Sequence, residues 1–308
     1  MIPASGPPPR QPAKGSVTVI IPAWGEVPTL PAAIDAICRQ ERQPDEIIVV
    51  HSGPGDLRAR LAGRHPALRV EHHDRRMFAA DARNLGLELA KGQWLVFMDA
   101  DVMPADDWLA HMMAALEAAP GRFVAGAVGF ARPGGYWGLA LWAIEFSSVH
   151  PYMPARVMAG ACTANLGAAA ADVNAVNGFP GHVGSSEDVV LAARLRARGL
   201  QNWFEPGARV GHMNLAGFTH FAIHLWNLGL WSARVRQREA LPGDLVVRFP
   251  PLALPLWLYR VVLTCGRAIR WGRGLRGAFA LRLPAIVLGS LIWNAGFLRG
   301  LTGRRHHH

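Results

Sequence analysis

The triplet Asp99-Ala100-Asp101 follows directly on an apolar run, Trp94-Leu95-Val96-Phe97-Met98. Such a run reads as a buried strand. The triplet then lies at the strand's C-terminal end, the edge where open α/β sheets bind ligands. Two carboxylates separated by one residue can share a divalent cation, and hard oxygen ligands suit Mg2+ or Mn2+. A cation held there bridges diphosphate oxygens and offsets the charge of a departing nucleoside diphosphate.

Other chemistry-bearing residues carry weaker signals. His220 and His224 lie one helical turn apart, a spacing that can bind zinc. No glutamate completes a metalloprotease pattern around them. Diphosphate or acceptor contact, or packing, is the expected role. Cys38, Cys162 and Cys265 are far apart and form no CxxC pair, which argues against a zinc ribbon or disulfide framework and for a reducing compartment. Ser185-Ser186-Glu187-Asp188 has the look of a capped helix start with acids in its first turn.

The elements needed to position these residues alternate between strand-like and helix-like segments, an α/β pattern. Val17–Ile21 is a β-branched run ended by Pro22, and a helix with Pro31 in its first turn follows, burying Leu30, Ile34, Ile37 and Cys38. Glu46–Val50 is a second buried strand and Leu68–Val70 a short third. A helix is expected from about Phe78 to Ala90, a strand at Phe123–Val128, helices at Trp137–Val149 and Ser186–Arg198, and a last short strand at Ala208–Val210. Phe218–Arg238 reads as an amphipathic helix.

Net charge is +10, but it is unevenly placed. From Arg234 onward there are 13 arginines, no lysine and two acids, so the tail carries +11 and the preceding body −1. A neutral body with a basic, apolar tail points to an anionic membrane surface and away from nucleic acid. Pro250–Cys265 and Leu283–Leu298 are each shorter than the ~20 apolar residues of a spanning helix, with arginines between them. In-plane helices or a shallow hairpin are expected, the alternative being a helical subdomain packed on the body. Residues 1–15 lack the apolar core of a signal peptide and read as a disordered leader. The terminal Arg-Arg-His run carries no argument.

Four blocks carry a resemblance to a known family: VTVIIPAWGE (Val17–Glu26), DEIIVVHSGPGD (Asp45–Asp56), ARNLGLELAKGQWLVFMDADV (Ala82–Val102) and GFPGHVGSSEDVVLAARLRARG (Gly178–Gly199). In order and spacing the chain resembles family 2 glycosyltransferases over residues 16 to 215. The resemblance implies a GT-A nucleotide-binding α/β domain with a mixed, mostly parallel sheet, followed by a C-terminal helical, membrane-associated region at 216–308. It also implies an inverting, metal-assisted transfer of a sugar from a nucleotide-sugar donor, and the apolar, basic tail adds the expectation of an envelope-glycan or lipid-linked acceptor at the cytoplasmic face of the cell membrane.

The same resemblance assigns residues. Pro22, Ala23, Trp24 and Glu26 fall in the loop that wraps base and ribose, and Arg83 falls near the nucleotide. Asp99 and Ala100 join the donor side, while Asp99, Asp101 and His212 form the metal shell. Glu187 and Asp188 are the catalytic pair, with Asp188 the general base. His51 stands where the family usually has a base-binding aspartate. An imidazole offers no carboxylate there, so the donor base is left open.

Two rivals follow. A nucleotidyltransferase would need a basic, Gly-rich loop after the first strand, and Ala23-Trp24-Gly25-Glu26 has no Lys or Arg. A degenerate domain acting as a membrane scaffold is favoured by His51 and opposed by the intact Asp99, Asp101, Glu187 and Asp188.

Overall fold

A computed structural model describes residues 13–131, 135–214, 217–241 and 243–302. Most of the expected leader, 1–15, lies outside the described residues, as does the terminal Arg-Arg-His run.

The first half alternates as the hydrophobic pattern requires. Strand β1 (Val17–Trp24) leads to helix α1 (Leu30–Cys38), then β2 (Glu46–Ser52), α2 (Leu57–Leu61), β3 (Leu68–His73), α3 (Ala79–Leu89), β4 (Trp94–Met98), β5 (Val102–Pro104), α4 (Trp108–Glu117), β6 (Arg122–Phe130) and α5 (Gly135–Phe146). Next come β7 (Arg156–Val157), β8 (Asn165–Ala169), α6 (Ala170–Ala175), α7 (Glu187–Ala197) and the long β9 (Gln201–His212). The tail is helical: α8 (Phe218–Arg238), α9 (Leu245–Arg248), α10 (Leu256–Trp271), α11 (Arg276–Leu281) and α12 (Leu283–Leu301).

One mixed sheet runs β3-β2-β1-β4-β8-β6-β9-β5, with β7 on β9. The β1, β2, β3 and β4 pairings are parallel, as is β6 with β9. The near-continuous apolar sequences of β1, β2, β4 and β6 suit strands covered on both faces. The short pairings of β8 with β4 and β6, and of β5 and β7 with β9, are antiparallel.

Several elements differ from their sequence reading. Pro22 does not end β1, which runs on to Trp24. The β4 pairing stops at Ile20, so beyond it only β2 pairs with β1, and the missing N–H of Pro22 leaves no gap on the β4 side. The expected short strand at 208–210 is the end of a strand that begins at Gln201. Pro206-Gly207 lies at a bulge, where the register with β6 shifts between Gly126 and Ala127. Strand β8 is Asn-Leu-Gly-Ala-Ala and has no β-branched signal. Its Asn165 side chain knits this region, donating to the carbonyls of Ala127 and Ala208 and accepting from the Trp108 indole at 2.8 Å.

The tail packs on the body. Helix α12 lies so close to α8 that a Cβ on Gly229 would strike the Trp293 carbonyl, and one on Gly296 the Trp226 carbonyl. Glycine is required at both positions. The segments Pro250–Trp271 and Leu283–Leu301 are long and apolar enough to cross a membrane, longer than the sequence reading gave. The second is half buried in the protein, whereas only 17% of the first is.

Candidate functional site

Strand β4 ends at Met98 and delivers Asp99 and Asp101 to the sheet's C-terminal edge. The antiparallel pairing of β5 with β9 sets Val102 opposite His212. That register carries the His212 ring to Asp101, with Nε2 3.6 Å from Oδ1. Ligand atoms of Asp99, Asp101 and His212 all lie within 4.8 Å of one another. Burial pushes the Asp101 carboxyl up, and Asp99 adds to this while His212 opposes it. Two converging carboxylates and an imidazole fit Mg2+ or Mn2+. His212 Nδ1 is shut from solvent without a hydrogen-bond partner, so its other nitrogen is the one turned to Asp101.

Behind this group sits Arg83. It is 2% exposed and donates from Nη2 to Asp99 Oδ1 at 2.5 Å and from Nη1 to Glu187 Oε1 at 2.6 Å. A planar guanidinium can hold two carboxylates at a fixed angle, which an ammonium cannot. The neighbouring Asn84 clamps the approach to α7, accepting from the Phe179 amide and donating to the Phe179 carbonyl. The Ala-Arg-Asn-Leu-Gly motif therefore ties the Asp99 region to the Glu187-Asp188 region. Arg83 is buried, with its two Nη groups on the acids and its Nε shut from solvent without a hydrogen-bond partner, and Glu187 is its partner on the α7 side.

Asp188 is left over. Its Oδ1 accepts from the Val189 amide at 2.8 Å. Burial, then the charge of Glu187, raises its carboxyl to about 7. The residue before the pair, Ser186, sits in the left-handed region at φ 68° and makes no side-chain cap. The capping expectation is thus not realised. The helix instead begins from a strained residue, at a cost of roughly 1–3 kcal/mol. Cys162 lies near the same carboxylates. Burial, then Asp188 and Asp99, pushes its thiol well above its usual value, so it stays protonated.

On the far side of the edge, the end of β1 presents Trp24, 54% exposed, with the Arg76 guanidinium 4.4 Å over its ring. Pro22 is half-buried, Ala23 buried and Glu26 exposed, while Ala100 is buried with its carbonyl accepting from Thr29. His51 is fully buried beneath the loop, with Nε2 3.0 Å from the Gly25 carbonyl and Nδ1 2.8 Å from Nδ1 of His72. Both ring nitrogens are committed, and burial lowers its pKa. It braces the loop from below.

Sequence reasoning missed Glu145. On α5 it meets His224 of α8 at 2.5 Å. Burial would raise its carboxyl, but His224, then His212 and Arg260, outweigh burial and hold it below the usual range. His220 stacks on His224 with ring centroids 5.8 Å apart. Among the described residues the metal-competent group is Asp99, Asp101 and His212, so the zinc reading of the two histidines finds no further ligand. A buried glutamate at the end of an apolar helix carries no motif. Its signal was only that Glu145 is the lone acid in Gly135–Phe146.

Residues 18–157 match the sequence profile of glycosyl transferase family 2. Over that stretch the chain is similar to family 2 glycosyltransferases. It is 27% identical to a pre-mycofactocin glycosyltransferase of Mycobacterium tuberculosis over 94% of this chain and 59% of that protein. It is 28% identical to glycosyltransferase AglE of Haloferax volcanii over 61% of this chain and 64% of that protein. The chain thus spans less than two thirds of the length of either relative. The fold of the domain and its tail resembles that of the mannosyltransferase PcManGT of Pyrobaculum calidifontis, solved with GDP-Man and Mn2+. That likeness has a TM-score of 0.62 at 21% identity and covers 93% of this chain and 87% of that one.

Proposed function

We propose that the chain is an inverting glycosyltransferase that moves a sugar from a nucleotide-sugar donor to a glycan or lipid-linked acceptor at the cytoplasmic face of the cell membrane. The observation that carries this reading is the Arg83 bridge. It joins the Asp99 carboxylate to Glu187, while the adjacent Asp188 feels Arg83 only through charge and has its carboxyl raised to about 7 by burial and Glu187.

Inverting transfer is one displacement at the anomeric carbon. Asp188 accepts the acceptor hydroxyl's proton, that oxygen bonds to the anomeric carbon, and the bond to the diphosphate breaks with its electron pair leaving on the phosphate oxygen. A base whose pKa lies near neutrality is matched to that task. Asp99, Asp101 and His212 would hold Mg2+ or Mn2+, which supplies positive charge against the leaving diphosphate. Pro22, Ala23, Trp24 and Glu26 line the donor side, with Trp24 offering an exposed ring to a base. The domain, 16–215, is followed by a helical region, 216–308, that rests on the membrane. Helix α10, with little of its surface covered by protein and basic residues beside its apolar ones, supports that placement.

The test is a panel of UDP-, GDP- and dTDP-sugars, read as Mn2+-dependent thermal stabilisation and donor hydrolysis. One nucleotide should stabilise the protein only with metal. No metal-dependent response to any of them would reject the enzyme and leave a membrane scaffold.

A further inference from the structure

The parallel strands β1, β2 and β3 end side by side, and their last residues are knitted together. Gly25, just past β1, donates from its amide to the Ser52 carbonyl at 2.9 Å, and its own carbonyl lies 3.0 Å from Nε2 of His51. Its φ of 61° lies in the left-handed region, which glycine adopts without strain. The residue before it, Trp24, rests against Gly53, where a Cβ would come 3.0 Å from the indole nitrogen. Both backbone polar groups of Gly25 are thus tied to β2, and they set how the exposed Trp24 ring stands at the sheet edge.

The hydrogen bonds below this turn determine where the protons sit. The strand register sets His51 opposite His72, with ring centroids 4.9 Å apart and the two Nδ1 atoms 2.8 Å apart. Nε2 of His72 is 3.2 Å from Asp74 Oδ1. The Gly25 carbonyl can only accept, so His51 Nε2 carries a hydrogen. An ionised Asp74 can only accept, so His72 Nε2 carries one as well. A third hydrogen must lie between the two Nδ1 atoms. His51 is fully buried, and burial lowers its pKa; the Gly25 carbonyl and Asp56 oppose this, and His72 adds to it. A neutral His51 protonated at Nε2 has a bare Nδ1, so His72 is the donor between the rings.

We propose that His51 is a positioning residue of the donor loop and that His72 selects its tautomer, so that Gly25 and the Trp24 ring are set for a nucleotide base before the donor arrives. Preorganisation of this kind raises affinity by removing an ordering cost from binding. Histidine suits position 51 better than aspartate does, because a carboxylate there would turn an acceptor toward the Gly25 carbonyl. The effect is confined to the base end of the donor. The diphosphate end belongs to Asp99 and Asp101, beyond β4, and to His212 at the end of β9. The inference rests on the glycosyltransferase reading.

The experiment measures two affinities of the full chain in Mn2+: for UDP, GDP and dTDP, and for inorganic pyrophosphate, which has no base. His51→Asp should weaken whichever nucleotide the wild type binds by about tenfold, the scale of a buried hydrogen bond lost, and leave pyrophosphate within about twofold. His72→Phe, which keeps a ring against His51 but gives no donor, should weaken the nucleotide by about fivefold. His51→Gln, which keeps an N–H for Gly25 and an oxygen for His72, should keep most of the affinity. Spectra of the wild type with 15N-labelled histidine should show one residue, absent from His51→Gln, with a protonated Nε2 and a bare Nδ1. Equal losses of nucleotide and pyrophosphate affinity would mean a merely structural role and overturn the proposal. So would wild-type affinity in His51→Asp, or a His51 signal protonated at Nδ1. Should His51→Asp not fold, His72→Phe and the spectrum still decide. A wild type that binds pyrophosphate but no nucleotide rejects the donor reading, and the loop role with it. Nucleotide binding that ignores all three substitutions overturns the loop role alone.

Discussion

Arg83 and Glu187 stand 104 positions apart in the chain and 2.6 Å apart in space. The second arm of the same guanidinium holds Asp99. One buried cation thus sets the distance between the metal-competent edge of the sheet and the helix that carries Asp188.

Removing that cation should be costly. Arg83→Met leaves two carboxylates facing each other in a water-poor site, a loss of about 3–5 kcal/mol. Arg83→Lys keeps the charge but cannot hold both acids. Thermal melts should place Arg83→Met lowest, Arg83→Lys between it and the wild type, and Arg83→Met combined with Glu187→Gln above Arg83→Met alone. If the double variant melts lower by the sum of both losses, the bridge is not the coupling.

Asp101→Asn should abolish metal-dependent donor turnover while leaving the fold intact. Asp101 is partly exposed, so the fold should accept its amide isostere. Donor hydrolysis titrated with Mn2+, beside a melting curve, checks both halves. Near-normal turnover in the variant would remove the metal role.

For Asp188→Asn, the loss should appear in kcat and not in donor binding, because a base acts in the transition state. The wild-type rate should rise as pH passes through about 7, where the carboxyl ionises. Stability runs the other way. The folded-state pKa is raised, so the protonated group's contribution is present below the ordinary carboxylate range and is lost as pH rises through about 7. Melts of the free protein should show Asp188→Asn more stable than wild type at pH values above 7, with the gap closing towards low pH. A variant less stable than wild type at alkaline pH would mean that Asp188 is a structural anion.

Gly229→Ala places a methyl against the Trp293 carbonyl. Overpacking of this kind costs about 1–3 kcal/mol. The expected result is a lower melting point, with the first proteolytic cuts in the tail and the 16–215 body surviving longer. Uniform digestion of body and tail would show that the α8–α12 contact does not hold the tail helices together independently of the body.

Val262→Glu tests the outward face of α10. Val262 is 60% exposed, so the fold should tolerate the charge. Binding to vesicles of phosphatidylcholine and phosphatidylglycerol should weaken, because buried apolar faces supply most of the attraction and each arginine adds only ~1 kcal/mol. High salt should reduce wild-type binding without abolishing it. Unchanged flotation of the variant would move the lipid contact to another face.

The sequence by itself determined the strands β1, β2 and β4, the helix Phe218–Arg238 and the Asp99-Ala100-Asp101 placement, because hydrophobic periodicity and buried apolar runs are local signals. The four motif blocks likewise carried the family. Only the tertiary structure decided which charges meet. Glu187 and Asp188 are adjacent carboxylates with the same local signal, yet one is held by Arg83 and the other is raised to about 7 by burial. His51 stands where an aspartate was expected, and both its nitrogens are consumed by Gly25 and His72 across the β2–β3 register. Glu145, His224 and Arg260 come from three helices of distant sequence and have no motif at all. A side chain's type fixes what it can donate or accept. Its partners, and therefore its charge state, depend on low-dielectric surroundings that segments far apart in the chain build together.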